Sequence, residues 1–280
     1  MKRLLIALLL CLTVLNASAQ KTASDEVKRL QARMYKLYSG YDYDEFISVT
    51  DSLKRAAEEA GDDRMFYRAW ANQVLFSSNR QRRSRAMQIA KEMQEHAIKQ
   101  GNKWGIYNGL HVSAYAHEQM KNHEEAIKGF KKAVNYLHEY LPHESAASSL
   151  IELAKIYYLR NSMESAIQYA EQAIREPHLN ELHRLNAYSL MCMSAADSAA
   201  YHPKNSDFRT DFNRFYAERE KVKEVYGRDD IYGQRVDIFR CILNRNFDEA
   251  QRIASTVRLP LTQWCQAFSP NTTISTSTAS

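Results

Sequence analysis

Apolar residues recur along this chain at the spacing of amphipathic helices. Within residues 147–174, four of them share one helical face at i, i+3, i+4 and i+7, namely Leu150, Leu153, Ala154 and Tyr157. After the polar residues 160–162 the pattern restarts with alanines at i, i+4 and i+7, starting at Ala166. Small side chains on one face let a neighbouring helix approach closely. The pattern therefore predicts two helices packed as a hairpin.

The trio at i, i+4 and i+7 recurs at a nearly fixed step along the chain. Its first member stands in turn at Phe46, Ala86, Ala126, Ala166, Phe208 and Ala250. Six occurrences at such a regular step are typical of a solenoid, in which each unit packs against its neighbours. We therefore predict an all-α solenoid of about six helical hairpins over residues 25–259.

The hairpin at residues 147–174 resembles the tetratricopeptide repeat, because a small residue opens its second helix and Pro177 lies just beyond it. The resemblance is strongest in the third and fourth units. It implies that the first helices of successive units line a concave face that binds a protein or a peptide. The step of about 40 residues exceeds the 34 residues of the common repeat, so we expect each helix to be almost one turn longer.

Composition and charge narrow the classes of function. Eight Gly and five Pro in 280 residues argue against a β-rich fold with many tight turns. The net charge is +5, and it falls to +3 if Lys2 and Arg3 are removed with an N-terminal leader. This positive charge is too weak to predict nucleic acid or an anionic membrane as the main partner.

Residues 1–19 have the pattern of such a leader, a cleaved signal peptide. A charged start at Lys2 and Arg3 precedes an apolar run over residues 4–15, and Ala17-Ser18-Ala19 offers a small-residue cleavage site. The apolar run is shorter than the about 20 residues that a membrane span needs, which makes a retained anchor the less favoured alternative. We expect export to the periplasm, or secretion from a cell with one membrane, and no transmembrane segment after cleavage.

Three cysteines remain after cleavage: Cys192, Cys241 and Cys265. Their odd number and wide spacing do not indicate a disulfide framework. Cys192 and Cys241 lie in apolar helical stretches, where we expect buried thiols that act as small hydrophobic side chains. A bridge between these two is the alternative.

Motifs for catalysis or metal binding are missing from the sequence. His138 and His143 bracket a stretch that looks like the zinc-protease motif, but they are five residues apart and Pro142 interrupts the helix between them. The chain contains no Gly-rich phosphate loop, no Gly-x-Ser-x-Gly elbow and no Cys-x-x-Cys. We therefore predict a protein without catalytic activity, cofactor or metal.

The candidate partner site is the predicted concave face. Counting from the small residue of each unit, its lining side chains in the third and fourth units are Asn108, His111, Tyr115, Glu118, Ser148, Ile151, Lys155 and Tyr158. Aromatic rings among mixed polar groups suit a protein or peptide segment better than a small metabolite. The alternative is ordinary surface side chains without a specific partner.

A second candidate is the densest positive cluster of the chain, formed by Arg80, Arg82, Arg83 and Arg85. Its functional interpretation is a docking loop for an acidic partner or a phosphate-bearing lipid. A solvated loop between two helices is the more usual meaning of such a run, and we favour it here.

Residues 260–280 change composition to a Ser/Thr-rich tail that we expect to be disordered. A leader followed by long repeats is similar to the extracytoplasmic N-terminal part of bacterial sensor histidine kinases with tetratricopeptide repeats. This resemblance implies the sensory input part of a receptor that lacks its transmembrane and output domains, cut or shifted in frame near residue 260. The alternative is a stand-alone periplasmic scaffold for the assembly of envelope proteins. The oligomeric state stays open.

Overall fold

The structure is a computed structural model that describes residues 23–256. Twelve helices fill this part of the chain, and it contains no strand. The helices are α1 (23–38), α2 (Tyr43–Ala60), α3 (Asp63–Asn79), α4 (Arg83–Lys99), α5 (Lys103–Gln119), α6 (His123–Tyr140), α7 (Ala147–Leu159), α8 (Met163–Ile174), α9 (Glu181–Tyr201), α10 (Asp207–Tyr226), α11 (Gly233–Leu243) and α12 (Phe247–Thr256).

Consecutive helices pack as six antiparallel hairpins, which we call units 1 to 6, from α1–α2 to α11–α12. In units 1 to 4 the second helix packs against the first helix of the next unit, as α4 does on α5 and α8 on α9. First helices of successive units also meet, as α3 does with α5 and α9 with α11. The prediction of an all-α solenoid built from about six hairpins is confirmed.

Small residues set the closest approaches between helices. Ala126 and Ala166 open the second helices of units 3 and 4, and both are fully buried. Inside unit 3, a Cβ atom placed on Gly129 would stand 2.8 Å from the Cβ atom of Ala114. This distance is too short for two carbon atoms, so the seam between α5 and α6 requires glycine at this position.

Large apolar side chains fill the rest of the interior. In unit 1, Met34 of α1 and Leu53 of α2 are fully buried in one cluster with Phe46. The Phe46 ring stacks on Phe76 of α3 with 3.9 Å between ring centroids, so it also ties unit 1 to unit 2. Burial is incomplete in the last unit, where Ala254 is exposed, because no described helix follows α12 to cover it.

The turns inside units 2, 3, 4 and 6 repeat one backbone device. Each places a non-glycine residue in the left-handed region with φ between 58° and 63°, at Gln81, Lys121, Asn161 and Arg245. In unit 2 the N–H of Arg82 donates to the carbonyl of Ser77 at 2.9 Å, and the N–H of Gln81 donates to that of Ser78 at 3.1 Å. These bonds satisfy the last carbonyls of α3 and reverse the chain into α4.

Cys192 and Cys241 are both buried free thiols, so the alternative of a bridge between them is wrong. Burial raises the pKa of the Cys192 thiol, which keeps it protonated and unreactive. The predicted signal peptide, Cys265 and the Ser/Thr-rich tail lie outside the described residues. Among residues 23–256, no helix combines the length and the apolar character that a membrane span requires.

Candidate functional site

The predicted groove residues of α5 make hydrogen bonds inside the protein. Asn108 donates from its side-chain amide to the carbonyl oxygen of Trp104 at 2.9 Å. His111 Nδ1 lies 2.9 Å from the hydroxyl of Ser149 on α7, and burial lowers the pKa of this histidine to about 4. The imidazole is therefore neutral at physiological pH and joins α5 to α7.

Further along the same face, Tyr115 on α5 donates its hydroxyl to Asn79 Oδ1 at 2.8 Å. The ammonium group of Lys155 on α7 lies 5.6 Å from the centre of the Tyr115 ring and forms an ion pair with Glu152. Burial acts to lower the pKa of Lys155, but the nearby carboxylates of Glu152 and Glu118 outweigh it and raise this pKa. Lys155 is therefore charged and held within the inner face.

The predicted groove residues of α7 include Tyr158, which contacts units 5 and 6. Tyr158 donates its hydroxyl to Asp197 Oδ2 of α9 at 2.6 Å and accepts a hydrogen bond from Arg235 of α11 at 2.7 Å. Ile151 is buried, and the Ser148 hydroxyl lies 3.4 Å from that of Tyr107. The eight predicted residues thus share one side of the first helices, where most of their polar groups are already paired. Their role in binding a partner stays a prediction.

The four arginines of the positive cluster divide into two pairs. Arg80 donates to the carbonyl oxygens of Tyr38 and Gly40, and it stacks 4.5 Å above the ring of Phe76. Arg82 lies 3.9 Å above the ring of Tyr43. Both therefore join unit 2 to unit 1. The other pair, Arg83 and Arg85, is exposed in the first turn of α4 and has no ion pair or hydrogen-bond partner within residues 23–256.

A cleft opens between α2 and α4, with α3 as its floor, and we call it the α2–α4 cleft. Its volume is about 800 Å³. Twelve residues line it: Tyr43, Asp44, Ile47, Ser48, Asp51, Lys54, Arg55 and Glu58 from α2, Phe66 and Trp70 from α3, and Arg85 and His96 from α4. Of the sequence-predicted residues, this cleft includes Arg85 alone.

The deep end of the cleft is aromatic. The rings of Phe66 and Trp70 meet edge to face with 5.7 Å between their centroids, and His96 contacts both at 5.5 and 5.3 Å. Lys54 covers part of Trp70, since its ammonium group lies 4.6 Å from the centre of that ring. The three rings form a rigid half-buried platform on which an apolar or aromatic side chain can pack.

The charges on the walls of the cleft are only partly paired. Asp51 binds Lys54 at 2.9 Å and accepts a hydrogen bond from Gln73 at 2.8 Å. The remaining charged side chains of the lining have no ion-pair partner in the described chain: Asp44, Arg55 and Glu58 on α2, and Arg85 on α4. A bound segment could pair with these groups without breaking an existing ion pair.

A smaller cleft of about 250 Å³ lies between α8 and α10 on the floor of α9. It includes the pair Glu171 and Arg175, whose charged atoms are 3.1 Å apart, and the rings of Tyr188 and Phe215. Its position between two second helices repeats that of the α2–α4 cleft. Its volume is below the about 300–1,000 Å³ that is usual for ligand pockets, so we regard the larger cleft as the candidate site.

Within residues 23–256, no three His, Cys, Asp or Glu side chains are grouped in a way that could hold a metal ion. His138, which drew attention in the sequence, lies at the end of α6 and contacts Glu176 Oε1 at 2.8 Å. Glu176 also accepts the backbone N–H of Ala146 at 2.8 Å. Glu176, which follows α8, therefore connects the end of α6 to the turn before α7, and this contact gives the histidine a structural role.

Comparison with known families gives a match in the middle of the chain. Residues 106–175 match the family model described as tetratricopeptide repeat. The match covers α5 to α8 almost completely, which are units 3 and 4, where the sequence pattern is strongest. A comparison with curated proteins finds no match. The fold is that of a helical-repeat protein, and its units 3 and 4 are similar to tetratricopeptide repeats, whose extended surfaces typically serve protein–protein interaction.

Proposed function

We propose that this chain is a non-catalytic binding module that recognises a segment of a partner protein or a peptide. The observation that carries the proposal is the α2–α4 cleft, whose volume of about 800 Å³ lies within the usual range for ligand pockets. The aromatic platform of Phe66, Trp70 and His96 offers apolar contact area to a bound side chain. The charged groups of the walls without ion-pair partners add hydrogen bonds and orientation.

The proposal includes no catalytic step and no cofactor. The sequence contains none of the motifs that build a phosphate loop, a serine nucleophile elbow or a zinc-protease site. The ionisable side chains of the cleft are mixed in sign and lie beside aromatic rings. This arrangement suits recognition of a polypeptide, in which apolar and charged side chains alternate.

We also propose that the module is exported and forms the sensory input part of a signal-transduction receptor. The support is the leader pattern of residues 1–19 together with the resemblance to the front part of sensor kinases with such repeats. A stand-alone periplasmic scaffold for envelope proteins is the second candidate, and the same leader supports it. In both cases the cleft would hold a segment of another protein.

The binding proposal is tested by selecting random heptapeptides displayed on phage against the purified protein. The blocked variant Ser48→Arg places a long side chain on the wall of the cleft, while Gln168→Arg adds the same charge at an exposed position on α8. Selected peptides should bind the native protein and Gln168→Arg but lose affinity at least tenfold for Ser48→Arg. Peptides that bind all three proteins equally would show that the cleft is not the site.

Export and the receptor role have their own tests. Fractionation of the native host, with an antibody against the protein, should find it outside the cytoplasm and shortened at residue 19. A full-length cytoplasmic product would overturn the export proposal. Translating the gene beyond codon 280 in three frames separates the two roles. An apolar segment of about 20 residues before a kinase-like region supports the receptor, and stops in all frames support the scaffold.

A further inference from the structure

We infer that the α2–α4 cleft binds an extended acidic segment that also carries an aromatic or large apolar side chain. This inference rests on the proposed function, because it names the chemistry of the partner for the same cleft. It is carried by three properties of the described residues: the dimensions of the cleft, the distribution of charge along it, and the position of the aromatic platform.

The length of the cleft fits a short extended segment. The lining runs from Asp44 to Glu58 on α2, which is about 21 Å at 1.5 Å per residue. At 3.3–3.6 Å per residue, six or seven extended residues fill the cleft.

The start of α4, at one end of the cleft, is positively charged and lacks carboxylates of its own. The second helices of the other five units begin with at least one carboxylate in the first turn, which complements the helix dipole. In α4 the first turn contains no acidic residue, and the N-cap Arg82 makes no side-chain capping bond. Arg83 and Arg85 add two more positive charges at this end.

The opposing charges do not cancel this positive end. Asp44 is the carboxylate of the lining that lies nearest the start of α2, and it is outnumbered by the arginines at the start of α4, which are Arg82, Arg83 and Arg85. Glu45 on the next position of α2 is already paired with Arg33 at 2.7 Å. At the other end of the cleft, Glu58 and Arg55 balance each other in charge. An acidic residue of the partner is therefore favoured at the arginine end.

The aromatic platform determines the second feature of the partner, its apolar side chain. Trp70 and Phe66 lie one helical turn apart on α3, and Phe66 and His96 mark the end of the cleft away from Arg85. Arg85 and His96 are separated by eleven positions on α4, or about 16 Å. A segment with its acidic residue at Arg85 therefore reaches the platform about three to five residues later, where an aromatic or large apolar side chain can pack on the rings.

The same heptapeptide selection tests this inference. Peptides that bind the native protein and not Ser48→Arg should be enriched in Asp or Glu near one end, with an aromatic residue three to five positions away. The strongest peptide is then labelled, and its affinity is measured by fluorescence anisotropy. We expect Arg83→Glu combined with Arg85→Glu to weaken binding at least tenfold and to favour a version of the peptide with Lys in place of its acidic residues.

The control is a variant with the same change of net charge on helices that do not line the cleft. Lys132→Glu combined with Arg209→Glu alters exposed residues on α6 and α10, and this variant should bind like the native protein. Enrichment of basic or uncharged peptides that still depend on Ser48 would overturn the acidic partner and leave the binding proposal intact. Equal affinity after the reversal of Arg83 and Arg85 would also overturn it. Failure to select any cleft-dependent peptide would contradict both proposals.

Discussion

Replacing Arg219 with methionine gives the sharpest test of how units 5 and 6 are held together. The Arg219 side chain on α10 is completely buried. Its Nε donates to the hydroxyl of Ser189 on α9 at 2.7 Å, and its guanidinium group pairs with Asp229 and Asp230 in the loop before α11. A single side chain on α10 thus joins α9 to the loop before α11.

The size of the effect depends on the carboxylate that is left behind. The Asp230 side chain is also fully buried and lies 3.3 Å from the guanidinium group, whereas Asp229 and Glu220 are about one-third exposed and contribute little. Removing one partner of a buried ion pair costs about 3–5 kcal/mol, because the other charge loses its compensation. We therefore expect Arg219→Met to lower the free energy of unfolding by about 3–5 kcal/mol at pH 7.

The pH dependence distinguishes this mechanism from a loss of packing. Burial raises the pKa of Asp230 above its ordinary value even though Arg219 acts to lower it, and without Arg219 this pKa rises further. A raised pKa means that the folded state binds more protons than the unfolded state, so stability falls as pH rises through this range. The cost of Arg219→Met should therefore be smaller at about pH 4.5 than at pH 7.

Urea unfolding monitored by circular dichroism measures both values. Combining Arg219→Met with Asp230→Asn removes the uncompensated charge and should recover at least half of the lost stability at pH 7. The reasoning would be refuted by a cost below about 1 kcal/mol, the range of exposed ion pairs, or by a cost that is the same at both pH values.

Two further predictions concern the seams of the solenoid and use the same unfolding assay. Gly129→Ala forces a methyl group against Ala114 and should lower the free energy of unfolding by about 1–3 kcal/mol. Gly101 has a φ of 63° and free space around it, so Gly101→Ala should lower this free energy by about 1–2 kcal/mol from backbone strain alone. A cost of Gly129→Ala below about 1 kcal/mol, with no shift of α5 against α6, would contradict the packing argument. Tyr158→Phe deprives the buried Asp197 of its hydroxyl donor and should cost about 1–3 kcal/mol. Since burial raises the pKa of Asp197, this cost should also shrink at low pH, and a cost independent of pH would contradict it.

The fold could be predicted from the sequence because the same hydrophobic pattern occurs in all six units. The trio of each unit recurs at a nearly constant step, and one wrong assignment does not disturb the others. The structure adds a second repeat with the same step, the left-handed residues at Gln81, Lys121 and Asn161. Gln and Lys have no strong preference for a positive φ, so residue type does not predict these left-handed positions. Their regular spacing along the chain does.

The candidate site was harder to predict, because its residues come from two units. On α2, polar residues recur at i, i+4, i+7, i+11 and i+14 from Asp44 to Glu58, which marks one solvent-facing stripe. On α3, Phe66 and Trp70 are i, i+4 neighbours, a pattern that sequence alone assigns to the core. These rings are exposed only because α2 and α4 stand apart. The distance between two helices cannot be predicted from the hydrophobic pattern of one sequence.

Most polar groups of the inner face already make hydrogen bonds within the protein, which limits the binding free energy that a partner can gain there. A partner that binds at Tyr158 must compete with Asp197 and Arg235, and exchanging one hydrogen bond for another gains little free energy. At Arg85 no ion pair within the described chain has to be broken, and apolar burial on the half-buried platform at the other end of the cleft adds to the small gain from an exposed ion pair. The second helices around α3, rather than the row of first helices, therefore offer the larger gain on binding.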